Sequence, residues 1–158
     1  MNFTVYLLGG KIGGFYVEAL HEYEKRLSRY CRIRRVCFAS GEQLTSALSP
    51  RTHKILISRR GGKSLSSEAL ADRINTLTLA GISETALILS APDLLPARAG
   101  PFPSSPLNVP EKTGLSPGAD YEILTLTALD MNLGLQATLV YEQIYRAFRI
   151  LRHEPYHK

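Results

Sequence analysis

The chain has 158 residues, of which 44% are hydrophobic and 21% charged, and its net charge is +5. These values exclude a disordered chain and favour one domain over residues 1–158, long enough to bury its own core. The start of the chain has no charged leader, and no run of eighteen apolar residues occurs, so we expect a cytoplasmic protein that does not enter the membrane. The positive charge favours a polyanionic partner.

Five apolar runs predict strands, with helical patterns between them. Most runs are continuous rather than alternating, as in parallel strands covered on both faces. They lie at residues 3–8, 33–38, 55–58, 85–89 and 121–129. The first helical pattern spaces its apolar residues four, three, four and three apart, which makes one stripe. This stripe consists of Tyr16, Leu20, Tyr23, Leu27 and Tyr30.

Three more helices follow along the chain. A short one is predicted at residues 41–48. Ser66 or Ser67 can cap the next, which ends at Gly81. The last begins near Leu135, and its apolar residues on one side exceed what one sheet face needs, which predicts pairing with a second copy. These residues are Val140, Ile144, Ala147 and Leu151. Strands that alternate with helices predict an α/β fold with a mainly parallel sheet.

Residues 92–118 interrupt this alternation. The segment holds seven of the nine prolines, so it cannot form regular helix or strand for long. A loop of this length inside a compact domain is either functional or a floppy insertion. The sequence leaves both interpretations open.

Two glycine clusters lie between predicted strands and helices. Residues 9–14 lack the G-x-G-x-x-G spacing of a dinucleotide site. Gly62, Lys63 and Ser64 resemble part of a phosphate-binding P-loop, but the glycine needed five residues before Gly62 is replaced by Ile57. Both clusters are therefore interpreted as strand-to-helix turns.

The sequence lacks the motifs H-E-x-x-H, C-x-x-C and G-x-S-x-G. Its four histidines have no metal-ligand spacing, so no metal is expected. His21 and His53 are interpreted as surface residues. Glu18, Glu22 and Glu24 are interpreted as charges on the solvent face of the first helix.

Basic residues cluster at the end of the first helix and the start of the second strand, after the third strand, and on the last helix. If these clusters converge they would follow nucleic-acid phosphates, whereas the alternative is scattered solvated charge. The clusters are Lys25, Arg26, Arg29, Arg32, Arg34 and Arg35; Arg59, Arg60 and Lys63; and Arg146, Arg149 and Arg152. Tyr156 and His157 can stack on or hydrogen-bond a base.

The C-terminal residues 141–158 read as an amphipathic basic helix with a Pro-Tyr-His tail. This end resembles the RlmH family of SPOUT-type methyltransferases, whose chains finish in E-x-x-Y-R-A…Y-H-[KR]. The matching residues are Glu142, Tyr145, Arg146, Ala147, Tyr156 and His157. Residues 22–27 are similar to the family's E-Y-x-x-R-[LF] pattern, and residues 62–68 to its G-K-x-x-[ST]-S-E.

The resemblance implies a C-terminal trefoil knot that holds the methyl donor S-adenosylmethionine. It also implies a pseudouridine in large-subunit ribosomal RNA as the substrate, and a homodimer in which the partner's tail completes the active site. The expected donor-site residues are Ser58, Ala91, Thr127, Ala128, Leu129, Asp130, Met131 and Asn132. Arg146, Tyr156 and His157 are expected to be catalytic and to hold the base.

The chain departs from the family at two places near the expected donor site. Where the family has G-G-x-x-G after the fourth strand, this chain has residues 90–94, beginning Ser90-Ala91. The family's T-[LF]-P-H and later Arg fall on residues 130–133 and on Ala137, so both the His and the Arg are absent. Asp130 is new; it can bind the ribose or the sulfonium, line the pocket rim, or cap the last helix. Two alternatives to the expected activity therefore stay open: a non-catalytic RNA- or ribosome-binding relative, and a methyltransferase for another nucleotide.

Overall fold

The protein is described by a computed structural model over residues 1–58, 62–91, 121–127 and 129–155. These residues form one six-stranded sheet with four helices. The strands are β1 Asn2–Leu8, β2 Arg32–Phe38, β3 His53–Ile57, β4 Lys63–Ser64, β5 Glu84–Ser90 and β6 Tyr121–Thr125. The helices are α1 Gly14–Leu27, α2 Gly41–Ala47, α3 Ser67–Leu79 and α4 Leu133–Leu151.

The sheet has the order β2-β1-β5-β3-β6-β4, and its registered neighbours are all parallel. The predicted α/β fold with a mainly parallel sheet is therefore confirmed. The trefoil knot depends on the path of residues 92–120, and this segment, with its predicted Pro-rich loop, lies outside the described residues. The knot remains a prediction.

Each face of the sheet has its own core. On one face, Tyr6, Leu56, Ala86 and Ile88 pack with Leu44 of α2. The other face carries Val5, Leu7 and their neighbours, which pack against α1, α3 and α4 in one large cluster. The longest helix, α4, contributes most to this cluster. Its buried residues include Ala137, Val140, Tyr141, Ile144 and Ala147. The apolar residues of α4 therefore pack inside the protomer. Their number, from which pairing with a second copy was predicted, does not support a dimer.

Four predicted elements differ from the observed ones. β6 ends at Thr125, because the chain bends at residue 126, four residues before the predicted end. Lys63 and Ser64 form the short outer strand β4 where a turn was predicted. Tyr30 lies in the turn after α1 instead of on the helix. The last helix begins at Leu133, two residues before the predicted start near Leu135.

Two acidic contacts were missed because they join residues far apart in sequence. Glu24 is not a solvent-facing charge: its Oε1 accepts hydrogen bonds from Tyr141 (3.3 Å) and Arg35 (3.5 Å). His53 is not a surface residue either, because its Nε2 lies 2.7 Å from Oε2 of Glu122, and Arg73 of α3 donates to the same carboxylate at 2.6 Å. Both groups tie helices of the large core cluster to the sheet.

The direction of α4 determines where the two ends of the expected active site lie. The helix starts just after β6, at the carboxyl ends of the parallel strands. Near its end, Phe148 packs edge-on against Phe3 at the start of β1, with ring centroids 6.1 Å apart. α4 therefore runs antiparallel to the strands and ends at the amino edge of the sheet. At 1.5 Å per residue it is about 28 Å long.

Candidate functional site

The expected donor residues that the structure describes lie at one edge of the sheet. The backbone N–H of Ala91 donates to the carbonyl of Leu8 (2.9 Å), and that of Ser58 donates to the carbonyl of Leu124 (2.8 Å). The ends of strands β1, β5, β3 and β6 are therefore level, and the turn at residues 126–132 starts beside them. Because the methyl donor is expected here, this edge is called the donor edge and this turn the donor turn. Ligands of open parallel sheets bind outside these carboxyl ends.

The turn at residues 126–132 is held by side chains. The N–H of Leu129 donates to Thr127 Oγ1 (3.2 Å), and the amide of the buried Gln136 donates to the carbonyl of Met131 (2.8 Å). Asn132 accepts a bond from the N–H of Leu135 (2.9 Å) and so caps α4. The expectation that Asp130 caps the helix is wrong; Asp130 is exposed two residues before the cap. Ala128 lies outside the described residues.

The start of α4 is fixed against α1 by one aromatic ring. Asn132 Nδ2 donates to the hydroxyl of Tyr16 (2.9 Å). A Cβ atom at position 134 would collide with the ring of Tyr16, so only Gly134 allows this approach. The contact positions the donor turn, and the sequence pattern did not indicate it because Tyr16 and Gly134 are 118 residues apart.

Gly62 has a similar role after β3. Its N–H donates to Thr125 Oγ1 (3.1 Å), and a Cβ there would lie 2.7 Å from the carbonyl carbon of Leu124. The backbone at Gly62 is thereby held against β6. Glycine is required at this position for close backbone approach, not for phosphate binding.

Leu133 and Ala137, the positions where the resemblance places the family's His and Arg, belong to the core. Leu133 is 7% exposed and Ala137 is fully buried, and both pack in the large cluster. Where the family has His and Arg, this chain therefore uses packing residues. The two polar side chains that the resemblance places near the donor turn are therefore absent, and Ala137 is fully buried in their place.

Arg146 is anchored but partly accessible. Its Nε and Nη2 lie 3.0 and 2.9 Å from Oε1 of Glu142, and its side chain is 36% exposed. Gln143 donates to the other carboxylate oxygen (2.6 Å) and accepts from Ser67 Oγ of α3 (2.9 Å). Arg146 lies fourteen residues beyond the cap, which is about 21 Å along the helix axis. The structure therefore does not bring Arg146 to the donor edge of its own chain.

Arg149 contacts residues of the last part of α4 and of the turn that follows it. Its Nη1 donates to the Tyr145 hydroxyl (3.0 Å), its Nη2 to the carbonyl of Pro155 (2.5 Å), and its Nε lies 2.9 Å from Oε2 of Glu154. The guanidinium of Arg149 therefore holds the turn after α4 in place, and its contact with phosphates stays a prediction.

The last turn is also held by an aromatic cluster. The Tyr30 hydroxyl donates to Glu154 Oε2 (2.6 Å), and its ring stacks on Phe148 with centroids 5.7 Å apart. Burial, and then the bond to Glu154, raise the pKa of Tyr30, so its hydroxyl stays a proton donor. Tyr156 and His157, the expected base-binding residues, lie outside the described residues. The described residues before them, 152–155, lie at the amino edge of the sheet.

Within the described residues, no group of His, Cys, Asp and Glu has the arrangement of a metal site. The helices that the structure describes are too short or too polar to cross a membrane.

The fold and its C-terminal segment define the class of protein. A family model described as a predicted SPOUT methyltransferase matches residues 115–157. Together with the parallel sheet and its carboxyl-edge turn, this match identifies a SPOUT-fold methyltransferase.

Comparison over the whole chain gives the family. The protein is 35% identical to ribosomal RNA large subunit methyltransferase H 1 of a Thermoanaerobacter species over 158 residues, which is 100% of both chains. It is 28% identical to methyltransferase H of Bifidobacterium adolescentis (100% of both chains), and 29% identical to that of Thermotoga maritima (94% of both). The chain belongs to the ribosomal RNA large subunit methyltransferase H family.

Proposed function

We propose that this protein transfers a methyl group from S-adenosylmethionine to a pseudouridine of large-subunit ribosomal RNA. The observation that carries the proposal is the 35% identity, over the full length of both chains, to an enzyme named ribosomal RNA large subunit methyltransferase H 1. The level strand ends beside Ser58, Ala91 and residues 127–132 support it, since they offer a site where this fold class binds ligands.

The residues at the donor edge fit an adenosine-bearing ligand. Ser90 and Ala91 replace glycines of the family, and the Ser90 hydroxyl donates to the carbonyl of Ala91 (3.1 Å), so neither adds bulk beyond the smallest side chains. We expect backbone groups of the turn at residues 127–132 to bind the adenine. S-adenosylmethionine, when bound, supplies a methyl group on a positive sulfonium.

The base-binding residues act in the partner's site. Arg146 is about 21 Å along α4 from the donor turn, and Pro155 lies beyond it. Tyr156 and His157 are the next two residues, and two residues span at most about 7 Å. They are therefore too close to the end of the helix, which is about 28 Å long, to reach the donor edge of their own chain. We infer that a second protomer receives Arg146, Tyr156 and His157, so that the active form is a homodimer.

Exposed apolar residues beside the donor edge supply a surface for the partner. Phe15 is 77% exposed at the start of α1, and Leu129 (73%) and Leu135 (43%) flank the start of α4. Phe15 contacts Tyr16, which in turn packs on Gly134. Large apolar side chains grouped in this way mark an interaction site, and here they lie beside the donor edge that the partner's tail has to reach.

In this arrangement the tail holds the base and the donor edge holds the methyl donor. Methyl transfer to a ring nitrogen requires the two groups to be aligned and the N–H proton to be removed. Arg146 is held by Glu142 in a fixed direction, so it can bind RNA without a large loss of side-chain entropy. His157 is the residue of the tail able to accept the proton near neutral pH.

Calorimetry with S-adenosylmethionine tests the donor site first. We expect binding at roughly micromolar strength, about −8 kcal/mol. The variant Ala91→Phe should abolish this binding, because the larger side chain fills the site, whereas Ala39→Phe on the loop after β2 should not. A wild-type protein that gives no heat or thermal shift at millimolar donor would contradict the assignment.

Subunit complementation tests the partner arrangement. Ala91→Phe and a deletion of residues 156–158 should each abolish methyl transfer. After subunit exchange between the two inactive proteins, each mixed dimer has one intact donor site and receives one intact tail there. About a quarter of the wild-type activity should return for random pairing of a two-fold dimer. No recovery, with exchange verified by mass spectrometry, would show that the tail acts within its own chain.

The burial of Leu133 and Ala137 favours a second candidate, a non-catalytic relative that binds RNA or the ribosome. Such a protein would keep the tail but lack two polar groups of the family's site. It would bind ribosomal particles without transferring a methyl group. Methyl incorporation by the wild-type protein separates the two candidates.

A further inference from the structure

A groove crosses the amino edge of the sheet, at the end opposite to the donor turn. Its volume is about 350 Å³, which is within the range of small-ligand sites. It lies between the first residues of β1, β2 and β5 and the segment after α2. The residues that give it polar character are Asn2, Thr4, Arg32, Arg34, Thr52 and Glu84.

The strand register arranges these side chains in two rows on one face. Arg32, Asn2 and Glu84 are paired across β2, β1 and β5, and Arg34 pairs with Thr4 in the next row. Residues two apart on a strand share a face, so both guanidinium groups lie on the same side. β2 is an outer strand of the sheet, and the groove therefore opens at the sheet edge.

The guanidinium of Arg34 is oriented and still has donors for a ligand. Its Nε donates to Thr4 Oγ1 (3.1 Å). In the described part of the chain, neither Arg34 nor Arg32 makes another side-chain hydrogen bond or ion pair, and Arg32 and Arg34 are both exposed. Two neighbouring guanidinium groups without a carboxylate partner form a typical phosphate site.

Other charges at this edge reinforce the positive potential. Arg29 and Arg152 are exposed, and the guanidinium carbon of Arg152 lies 5.0 Å from the ring centroid of Tyr30. Of the two carboxylates here, Glu154 is engaged by Tyr30 and Arg149. Glu84 remains in the groove, next to Asn2, and supplies a hydrogen-bond acceptor beside the two cations.

We propose that this groove binds the sugar–phosphate backbone of the RNA substrate, outside the nucleotide that is methylated. Arg32 and Arg34 bind a phosphate, and Glu84 and Asn2 bind a ribose hydroxyl. The inference rests on the proposed function, because it names a second contact with the same RNA. The tail leaves the chain at this same edge, so in the dimer the groove lies on the side of the partner's active site and extends the RNA path from it.

The test measures how RNA affinity depends on salt for wild-type protein and Arg32→Ala/Arg34→Ala. A labelled single-stranded RNA of about twenty nucleotides is sufficient, since phosphate contacts do not depend on sequence. Loss of two phosphate contacts should lower the slope of log K against log salt by roughly 1.4 to 1.8. RNA binding at low salt should weaken at least about tenfold, while binding of S-adenosylmethionine stays unchanged.

Lys25→Ala/Arg26→Ala is the matched control. Lys25 and Arg26 belong to the same basic cluster of the sequence as Arg32 and Arg34, but they lie on the exposed face of α1 and do not line the groove. If the groove and not the whole cluster binds phosphates, this control should leave the salt slope at the wild-type value. Glu84→Gln should reduce the preference for RNA over DNA of the same sequence, because the ribose hydroxyl loses its charged acceptor. If the double variant melts early, the single exposed change Arg32→Glu replaces it.

The groove proposal is overturned if the groove variant keeps the wild-type slope, or if the control variant loses as much as the groove variant. Failure of the proposed function looks different. In that case the wild-type protein binds no S-adenosylmethionine or transfers no methyl group, while the salt slopes of the two variants still report on the groove.

Discussion

At the residue scale, Asp130 is the polar side chain that this chain adds to the family's donor turn. It is exposed, and the helix cap that it was expected to provide comes from Asn132. A carboxylate at the rim of a site for a sulfonium ligand attracts the methylated donor but not its neutral demethylated product. The side chain can therefore contribute to binding by charge alone.

Changing Asp130 to Ala should weaken S-adenosylmethionine by about two- to fivefold, and the demethylated product by less, because an exposed charge contributes little. Calorimetry with both ligands measures the difference. Asp72→Ala, an exposed position on α3, is the control and should change neither affinity. Equal weakening of both ligands would mean that Asp130 acts through the turn and not through its charge.

Glu122 shows how a residue missed by pattern stabilises the fold. Burial by itself would raise the pKa of Glu122, but hydrogen bonds from Arg73 and His53 outweigh it and hold the pKa below the ordinary value. A carboxyl with a lowered folded pKa stabilises the protein above the unfolded pKa of about 4.3 and loses this effect as the pH falls through the folded pKa.

Glu122→Gln should therefore lower the free energy of unfolding at pH 7 by about 1 kcal/mol. The difference from wild type should shrink as the pH falls from about 4.3 through the lower folded pKa, because the unfolded chain binds the proton before the native carboxylate does. Urea unfolding at pH 7 and at pH 3 measures it, with the exposed Glu18→Gln as control. A deficit that stays constant over this pH range would contradict the ionic origin of the effect.

At the element scale, the packing of α4 on α1 fixes the donor turn. Gly134 lies in the first turn of α4, where replacing glycine by alanine ordinarily stabilises a helix by about 0.5–1 kcal/mol. Here the added methyl group would collide with the ring of Tyr16.

Gly134→Ala should therefore destabilise the protein by about 1–3 kcal/mol. In a Tyr16→Leu background the same change should cost less, or become favourable, because the smaller side chain leaves room. Urea unfolding of the four proteins in this cycle gives the coupling. An additive result would show that the close approach is relieved elsewhere in the helix.

The sequence predicted the elements better than the contacts between them. Continuous apolar runs gave the strands, and cap residues such as Ser66 gave the start of α3, because these signals are local. Glu24, His53 and Gly134 were misread or missed because their partners lie on other elements. The end of β6 was also misplaced, since the apolar residues after Thr125 belong to a turn that no local signal marks.

The candidate site could be predicted only through the resemblance to the family. Local spacing gave no catalytic motif, whereas the resemblance named Ser58, Ala91 and the turn before α4, which do lie at one edge. Arg146 could not be placed from sequence, because its distance from the donor turn depends on the direction of α4. Nor could local spacing show that Arg149 contacts Tyr145, Glu154 and Pro155.

At the scale of the whole molecule, the donor edge and the last described residues, 152–155, lie at opposite ends of one protomer. A two-fold dimer joins these ends twice and gives two equal sites. We expect light scattering at micromolar concentration to give twice the 17.5 kDa of one chain. Phe15→Glu together with Leu135→Asp should produce monomers, whereas Leu79→Asp, at an exposed apolar residue away from the donor edge, should not. A wild-type monomer would contradict the proposal.

The most direct measurement is the transfer of labelled methyl groups from S-adenosylmethionine to ribosomal particles that contain pseudouridine. Large subunits and complete ribosomes from cells lacking this methylation serve as substrates. The account predicts close to one methyl group per particle, on a pseudouridine, and a loss of turnover with His157→Ala or after deletion of residues 156–158. A wild-type protein that binds both the donor and the particles but transfers no methyl group would contradict it, as would full turnover by the His157→Ala variant.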